Sequence, residues 1–149
     1  MKIERATIED IPELCTLLDY LFEQESEFEP HREAQARGLN AVINDEDVGD
    51  ILVLRQAGEV VAMVNLLYTV STVLGARVAI LEDMVVLPEV RNQGIGSKLL
   101  EHAIQFAKEQ GCQRISLLTD SDNEGAHRFY QQHDFSRSSM LTFRKSLID

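Results

Sequence analysis

The chain has 149 residues, of which 44% are hydrophobic and 26% charged, a composition typical of one globular domain and not of a disordered or membrane-spanning chain. Its formal net charge of −11 argues against nucleic acid as a partner, because phosphate binding requires clustered lysine and arginine. The first residues contain no apolar segment typical of a signal peptide, and no stretch reaches the roughly 20 apolar residues of a membrane helix, so we expect a cytoplasmic protein without a membrane partner.

The N-terminal half predicts one strand followed by two helices. Residues 2–6 predict a short strand. Residues 8–25 predict a helix because apolar residues recur at three- and four-residue spacing. An acidic run breaks that pattern, and residues 31–44 predict a second helix. The acidic run contains Glu23, Glu25, Glu27 and Glu29.

The middle of the chain predicts an antiparallel meander over residues 51–55, 60–70 and 77–87, joined by short turns. Residues 94–110 then predict an amphipathic helix, and residues 114–119 predict a strand. Two strands separated by a helix indicate a right-handed crossover with parallel strands. The remaining predicted elements are a helix over 124–132 and two short strands over 135–136 and 140–144.

The cysteines and histidines show no spacing typical of metal ligands, so we predict no metal site. The residues concerned are Cys15, Cys112, His31, His102, His127 and His133.

The most informative segment joins the strand over 77–87 to the helix over 94–110. Gly94 and Gly96 lie where that helix begins, and free backbone amides at a helix start attract an anion. Arg91 adds a cation beside them. A dinucleotide-binding loop does not fit because Leu99 occupies the third glycine position, and a phosphate-binding loop with a lysine after its last glycine is absent. The alternative is a helix start that holds glycines without binding a ligand.

Residues 86–100 contain Arg91, Gly94 and Gly96 in the order of the acetyl-CoA signature [RQ]-x-x-G-x-[GA], and they resemble that signature of the GNAT superfamily of N-acetyltransferases. Residues 123–135 resemble a second segment of the same family, N-x-x-A-x-x-F-Y followed by a phenylalanine. One departure is Asp134, where the family commonly has glycine, and it affects a turn.

The resemblance implies one GNAT domain over residues 1–149 with an α/β (α+β) fold. This fold has a mixed, mostly antiparallel twisted sheet flanked by helices, and a splayed parallel strand pair admits the cofactor. The implied cofactor is acetyl-CoA, held along the strand before the loop, by the loop amides and by the second segment. The implied cofactor-binding residues are Met84, Val85, Val86, Arg91, Asn92, Gln93, Gly94, Ile95, Gly96, Ser97, Asn123 and Ala126.

The resemblance also implies that Tyr130 is the acid that protonates the coenzyme A thiolate, and the alternative is that it only packs beneath the cofactor. Glu82 and Asp83 interrupt an apolar strand, in which neighbouring side chains point to opposite faces. We predict that Glu82 is the base that deprotonates the acceptor amine and that both acids bind the acceptor. The alternative for Glu82 is a solvated carboxylate at the rim of the sheet.

The segment around these acids is similar to the L-E-D-x-x-V stretch of spermidine/spermine N-acetyltransferases. The similarity implies a small, cationic, polyamine-like amine acceptor, which the acidic run would help to attract. Two alternatives stay open: a protein lysine or N-terminal acetyltransferase, and a sensor that binds acetyl-CoA without turnover. Family analogy further suggests a homodimer.

Overall fold

A computed structural model describes residues 1–24 and 29–148. In this part of the chain, one sheet contains five strands whose spatial order equals their sequence order. The first four pair antiparallel, and the last pair is parallel. This arrangement confirms the predicted mixed, mostly antiparallel sheet. The strands are β1 (Lys2–Arg5), β2 (Gly49–Gln56), β3 (Glu59–Ser71), β4 (Ala76–Val86) and β5 (Ile115–Leu117).

Four helices flank the sheet within the described residues, and none of them is long and apolar enough to cross a membrane. The first begins later than predicted because a short 3-10 turn, Ile8–Asp10, precedes it. The Asp10 carboxylate accepts a hydrogen bond from the Thr7 backbone amide at 2.8 Å. Part of the acidic run, Glu25 and Glu27, lies outside the described residues. The helices are α1 (Ile11–Gln24), α2 (Arg32–Ile43), α3 (Ile95–Glu109) and α4 (Glu124–Gln132).

The sheet is buried on both faces. Along β2, Ile51 and Val53 pack with α1 and α2, whereas Leu52 and Leu54 pack with α3 on the opposite face. Side chains alternate across a strand, so a continuous apolar run fills two cores at once. The predicted strand runs are therefore apolar throughout because each strand is covered by helices on both sides.

The two parallel strands separate after a short contact. They pair only at Ala79 with Ile115, Ile80 with Ser116 and Leu81 with Leu117. β4 continues to Val86, so its outer edge has no strand neighbour beyond Leu81 among the described residues. This geometry confirms the predicted splay.

A bulge interrupts β4 at the same point. Asn65 of β3 pairs with Glu82, but Met63 pairs with Val85, so β4 contains one residue more than β3 across this interval. Asp83 has a φ of 55°, a value that non-glycine residues seldom adopt. An extra residue bends a strand and changes the face to which the next side chains point.

The two closing strands predicted at 135–136 and 140–144 are wrong for the described residues. The amide of Phe135 donates to the carbonyl of Tyr130 at 3.1 Å, and no later residue up to 148 forms a backbone hydrogen bond to the sheet. Every residue of the segment 136–148, called here the C-terminal arm, is exposed. The sequence pattern indicated an extended conformation, but a strand also needs a partner, which this arm lacks within the described chain.

Candidate active site

The loop between β4 and α3 leaves backbone amides exposed at the start of the helix. α3 begins at Ile95, with Gly94 as its N-cap at a φ of 78°, and Asn92 also has a positive φ of 65°. The first helical hydrogen bond runs from the Lys98 amide to the Gly94 carbonyl at 3.1 Å. The amides of residues 95–97 therefore have no acceptor in the described part of the chain. Such amides at the positive end of a helix bind anions.

The space around this loop is open. A Cβ at Gly94 would meet no atom within 4 Å, which leaves room for a ligand above the free amides. Arg91 lies beside them, held by a hydrogen bond of 3.0 Å from its Nε to the carbonyl oxygen of Val86. Asn92 and Gln93 are exposed. The predicted loop residues therefore form one surface that fits a phosphate-bearing ligand.

The second predicted segment packs directly against the first. The Asn123 side-chain oxygen accepts the Ala126 amide at 3.1 Å and so caps α4. His133, just after α4, is hydrogen-bonded to Ser97 at 3.0 Å between Nε2 and Oγ. Phe129 lies 3.5 Å from the position that a Cβ on Gly96 would take. The two segments, which are some thirty residues apart in sequence, therefore form adjoining surfaces of the candidate site.

Tyr130 lies in an aromatic cluster on α4. Its ring makes edge contacts with Phe129 at a centroid distance of 5.2 Å and with Phe135 at 5.6 Å. Burial raises the pKa of Tyr130 to about 12 because the phenolate would lose its hydration. The hydroxyl therefore keeps its proton at neutral pH and can act as a donor.

A cavity of about 560 Å³ opens between the two N-terminal helices and the end of β4. Both acids of β4 line it, so the expectation that they point to opposite faces is wrong. The cause is the bulge, because the extra residue and the positive φ of Asp83 break the alternation of side chains. The polar and charged residues of the lining are Glu29, His31, Gln35, Asn65, Glu82, Asp83 and Arg144.

The two carboxylates differ in environment. Glu82 is exposed, whereas Asp83 is partly buried. Burial raises the pKa of Asp83 to about 6; a hydrogen bond from Asn65 opposes the rise, and the negative charge of Glu82 adds to it. A carboxyl group with this pKa is ionised at neutral pH and accepts a proton more readily than an ordinary aspartate.

Sequence reasoning missed Asn65 and Arg144 as cavity residues. A single asparagine in the apolar run of β3 is a signal that a search for polar residues in buried strands could have detected. Arg144 gave no signal, because no pattern in the segment around it indicates a place near β4. No group of three or more His, Cys, Asp or Glu side chains that could hold a metal ion occurs within residues 1–24 and 29–148.

The chain matches the Acetyltransferase (GNAT) family over residues 11–135. It is 32% identical to the aminoalkylphosphonate N-acetyltransferase of Salmonella typhimurium over 146 residues, which cover 98% of this chain and 91% of that protein. It is also 30% identical to YhfO, an uncharacterized N-acetyltransferase of Bacillus subtilis, with 93% of this chain and 92% of that protein covered.

The fold has close counterparts among solved structures. A possible acetyltransferase from Clostridium difficile superposes with a TM-score of 0.89 at 18% identity, covering 99% of this chain and 98% of that one. The free amides at the start of α3 and the splayed parallel strands are both features expected of this family. The chain belongs to the GNAT family of acetyltransferases and is an N-acetyltransferase.

Proposed function

We propose that this enzyme transfers the acetyl group of acetyl-CoA to a primary amine of a small acceptor. One observation carries the proposal: the cavity lined by Glu82 and Asp83 lies at the stretch of β4 whose outer edge has no strand neighbour among the described residues. That stretch leads directly into the loop with free amides. An acceptor in the cavity and a donor along the strand would therefore meet at β4.

The donor site fits coenzyme A. The amides of residues 95–97 and Arg91 would bind the pyrophosphate, since both offer donors to an anion. The open edge at Met84, Val85 and Val86 would pair with the pantetheine arm as an added strand does. The Asn123 amide nitrogen would donate to the same arm, because the oxygen of that side chain already caps α4.

When bound, acetyl-CoA supplies a thioester carbonyl carbon for attack and a thiolate as the leaving group. The chain must remove one proton from the acceptor ammonium, because only about one in a thousand alkylamines is unprotonated at neutral pH. The carboxylates of Glu82 and Asp83 lie on β4 in the cavity lining and can accept it. Tyr130, which keeps its proton, would donate to the thiolate.

Two acceptor classes fit the cavity. Three carboxylates, those of Glu29, Glu82 and Asp83, favour the cationic, polyamine-like amine that the sequence indicates. Arg144 favours a second class, an amine that also carries an anionic group. The name of the Salmonella relative states such an acceptor, an aminoalkylphosphonate. A concave cavity of about 560 Å³ favours either of these over a protein amine.

A thiol-release assay with acetyl-CoA tests the proposal. The panel contains spermidine, 2-aminoethylphosphonate, amino acids, an aminoglycoside and a lysine peptide. We expect turnover of a small amine, with spermidine and 2-aminoethylphosphonate separating the cationic class from the zwitterionic class. Turnover of the peptide alone would favour protein acetylation. Acetyl-CoA binding without turnover of any amine would support a sensor.

We also propose a homodimer in which the C-terminal arm of one copy adds to the open edge of β5 in a second copy. Met140, Leu141 and Phe143 keep 85–95% of their surface exposed, an apolar area that favours a protein partner. β5 is the last strand of the sheet, and Leu118 just after it is also exposed. A chain that carries both a strand and a matching edge can close as a two-fold dimer.

Charge supports a second copy as this partner. The arm contains Arg137, Arg144 and Lys145 and no acidic residue, whereas the whole chain has a net charge of −11. Light scattering should give a dimer mass, and removal of residues 136–149 should give a monomer. Leu118→Cys with Thr142→Cys in one chain should form a covalent dimer on oxidation. A disulfide-bonded monomer would mean that the arm folds back onto its own sheet.

A further inference from the structure

Asn65 is a buried polar residue in the apolar middle of β3. It is 6% exposed, and its neighbours Val64 and Leu66 are fully buried. Its Nδ2 donates to Oδ2 of Asp83 at 3.3 Å. Its Oδ1 is buried and has no hydrogen-bond partner among the described residues. A buried acceptor without a donor destabilises a fold, so an apolar residue would suit this position better unless a ligand supplies the donor.

The orientation of the Asn65 amide follows from the charge of its neighbour. An ionised carboxylate only accepts hydrogen bonds, so the amide nitrogen must face Asp83 and the amide oxygen must point elsewhere. Both residues line the same cavity. The cavity lining therefore holds a carboxylate next to an amide whose buried oxygen lacks a donor among the described residues, and these two acceptors match the N–H groups of an alkylammonium ion.

We propose that Asn65 and Asp83 together form the binding site for the acceptor's ammonium group, with Asp83 as the base and Asn65 as the residue that positions both Asp83 and the nitrogen. This inference rests on the proposed function and makes it more specific, since the sequence alone favoured Glu82 as the base.

Asp83 suits the role of base better than Glu82 for two reasons. Its carboxylate is partly buried and fixed by the Asn65 hydrogen bond, whereas Glu82 is exposed. Its pKa is raised from 3.8 to about 6, so at equilibrium it takes a proton from an ammonium group roughly a hundredfold more readily than an unperturbed aspartate. The other titratable groups around the cavity are Glu29 before α2, His31 at the α2 N-cap and Arg144 of the C-terminal arm.

The proposed step is a single proton transfer. One N–H bond of the ammonium breaks, an O–H bond forms on the Asp83 carboxylate, and the electron pair stays on nitrogen as the nucleophile. Asn65 Oδ1 keeps accepting one of the two remaining N–H groups, which fixes the direction of the lone pair. Asp83 then releases its proton to water, since the cavity is open to solvent.

The pH dependence of turnover tests this assignment with any acceptor from the panel. For the wild type, kcat should rise with pH to a plateau, with an apparent pKa of about 6. Glu82→Gln should keep this rise and move it to lower pH, because a negative charge next to Asp83 is removed. Asp83→Asn should lower kcat by about a hundredfold and abolish the rise.

Asn65→Leu tests the positioning role. The rise in kcat should move to higher pH because the carboxylate loses its donor, and the acceptor KM should increase about tenfold with an unchanged acetyl-CoA KM. The variant should fold, since the substitution removes the buried unpaired oxygen. Disappearance of the pH-dependent rise in Glu82→Gln, retention of kcat in Asp83→Asn, or an Asn65→Leu profile equal to the wild type would overturn the assignment.

A measurement without acetyl-CoA separates this inference from the proposed function. A carboxyl NMR titration of the full chain, with Asp83 assigned by its loss in Asp83→Asn, should show an apparent pKa near 6. Ethylammonium chloride should lower that pKa, because a bound cation favours the carboxylate. An ordinary aspartate pKa that does not respond to ethylammonium would refute the amine site, whether or not the panel shows turnover.

Discussion

Replacement of Gly94 by alanine separates the conformational role of this residue from its role in donor binding. Gly94 has a φ of 78°, and an added Cβ would meet no atom within 4 Å, so the cost to the free protein is conformational and not steric. The left-handed region costs a non-glycine residue about 1 kcal/mol. For a chain of 149 residues, this loss lowers the melting temperature by about 2–4 °C.

Gly111 provides the matched control for this experiment. It follows α3 with a φ of 87° and has equally open surroundings, so Gly111→Ala should cost the same stability. Only Gly94→Ala should weaken acetyl-CoA binding, because its Cβ would project beside the free amides of residues 95–97. Loss of one charge-assisted hydrogen bond corresponds to about a tenfold higher Kd.

Thermal unfolding and calorimetric titration with acetyl-CoA check both parts of this prediction. Equal acetyl-CoA affinities for the two alanine variants would refute the placement of the pyrophosphate at Gly94. Unequal losses of stability would instead refute the conformational cost assigned to a positive φ.

Three further predictions concern single side chains. Tyr130→Phe should lower kcat about a hundredfold with an almost unchanged acetyl-CoA KM. Because burial raises the pKa of Tyr130 to about 12, the wild-type kcat should not fall between pH 8 and 10. A fall in that range would contradict the role of Tyr130 as the acid. Asn123→Ala should lower the free energy of unfolding by about 1 kcal/mol in urea, whereas Asn123→Asp should keep the cap on the Ala126 amide; equal losses would argue against the cap. Asp10→Asn should lower the free energy of unfolding by about 2 kcal/mol at pH 7, because the Asp10 carboxylate accepts a hydrogen bond from the Arg55 guanidinium at 2.8 Å. The pKa of Asp10 is lowered in the folded state, so this stabilisation is present above pH ~4 and is lost as pH falls through the lower folded value; a difference that does not shrink as pH falls below ~4 would refute it.

Local patterns predicted the elements that local forces determine. The amphipathic pattern over 94–110 predicted α3 to within one residue at each end, because Gly94 and Gln110 are its caps. The loop amides were predictable for the same reason, since a helix start exposes them whatever surrounds it. By contrast, β5 extends over only Ile115–Leu117 of the six residues predicted, and its pairing with β4 ends at Leu81, just before the bulge.

Long-range register explains what sequence could not predict. Glu82 and Asp83 face the same cavity because of the bulge in β4. This bulge arises from the pairing of β4 with β3, which no pattern within β4 reveals. Asn65 reaches Asp83 from eighteen positions earlier in the chain, so their hydrogen bond also depends on that register. The C-terminal arm has strand-like residues, yet no pattern within it states whether an edge is available to pair with it.

The open edge of β4 has a consequence for how the protein behaves without its donor. A strand edge with unpaired amides and carbonyls is a template onto which another extended chain can add, and such edges promote aggregation. If the pantetheine arm pairs with residues 84–86, the donor protects this edge while it is bound. A donor concentration one hundred times Kd would also stabilise the fold by about 2.7 kcal/mol. We therefore expect the donor-free form to be the aggregation-prone one, so that coenzyme A supply would control the lifetime of the protein as well as its rate of turnover.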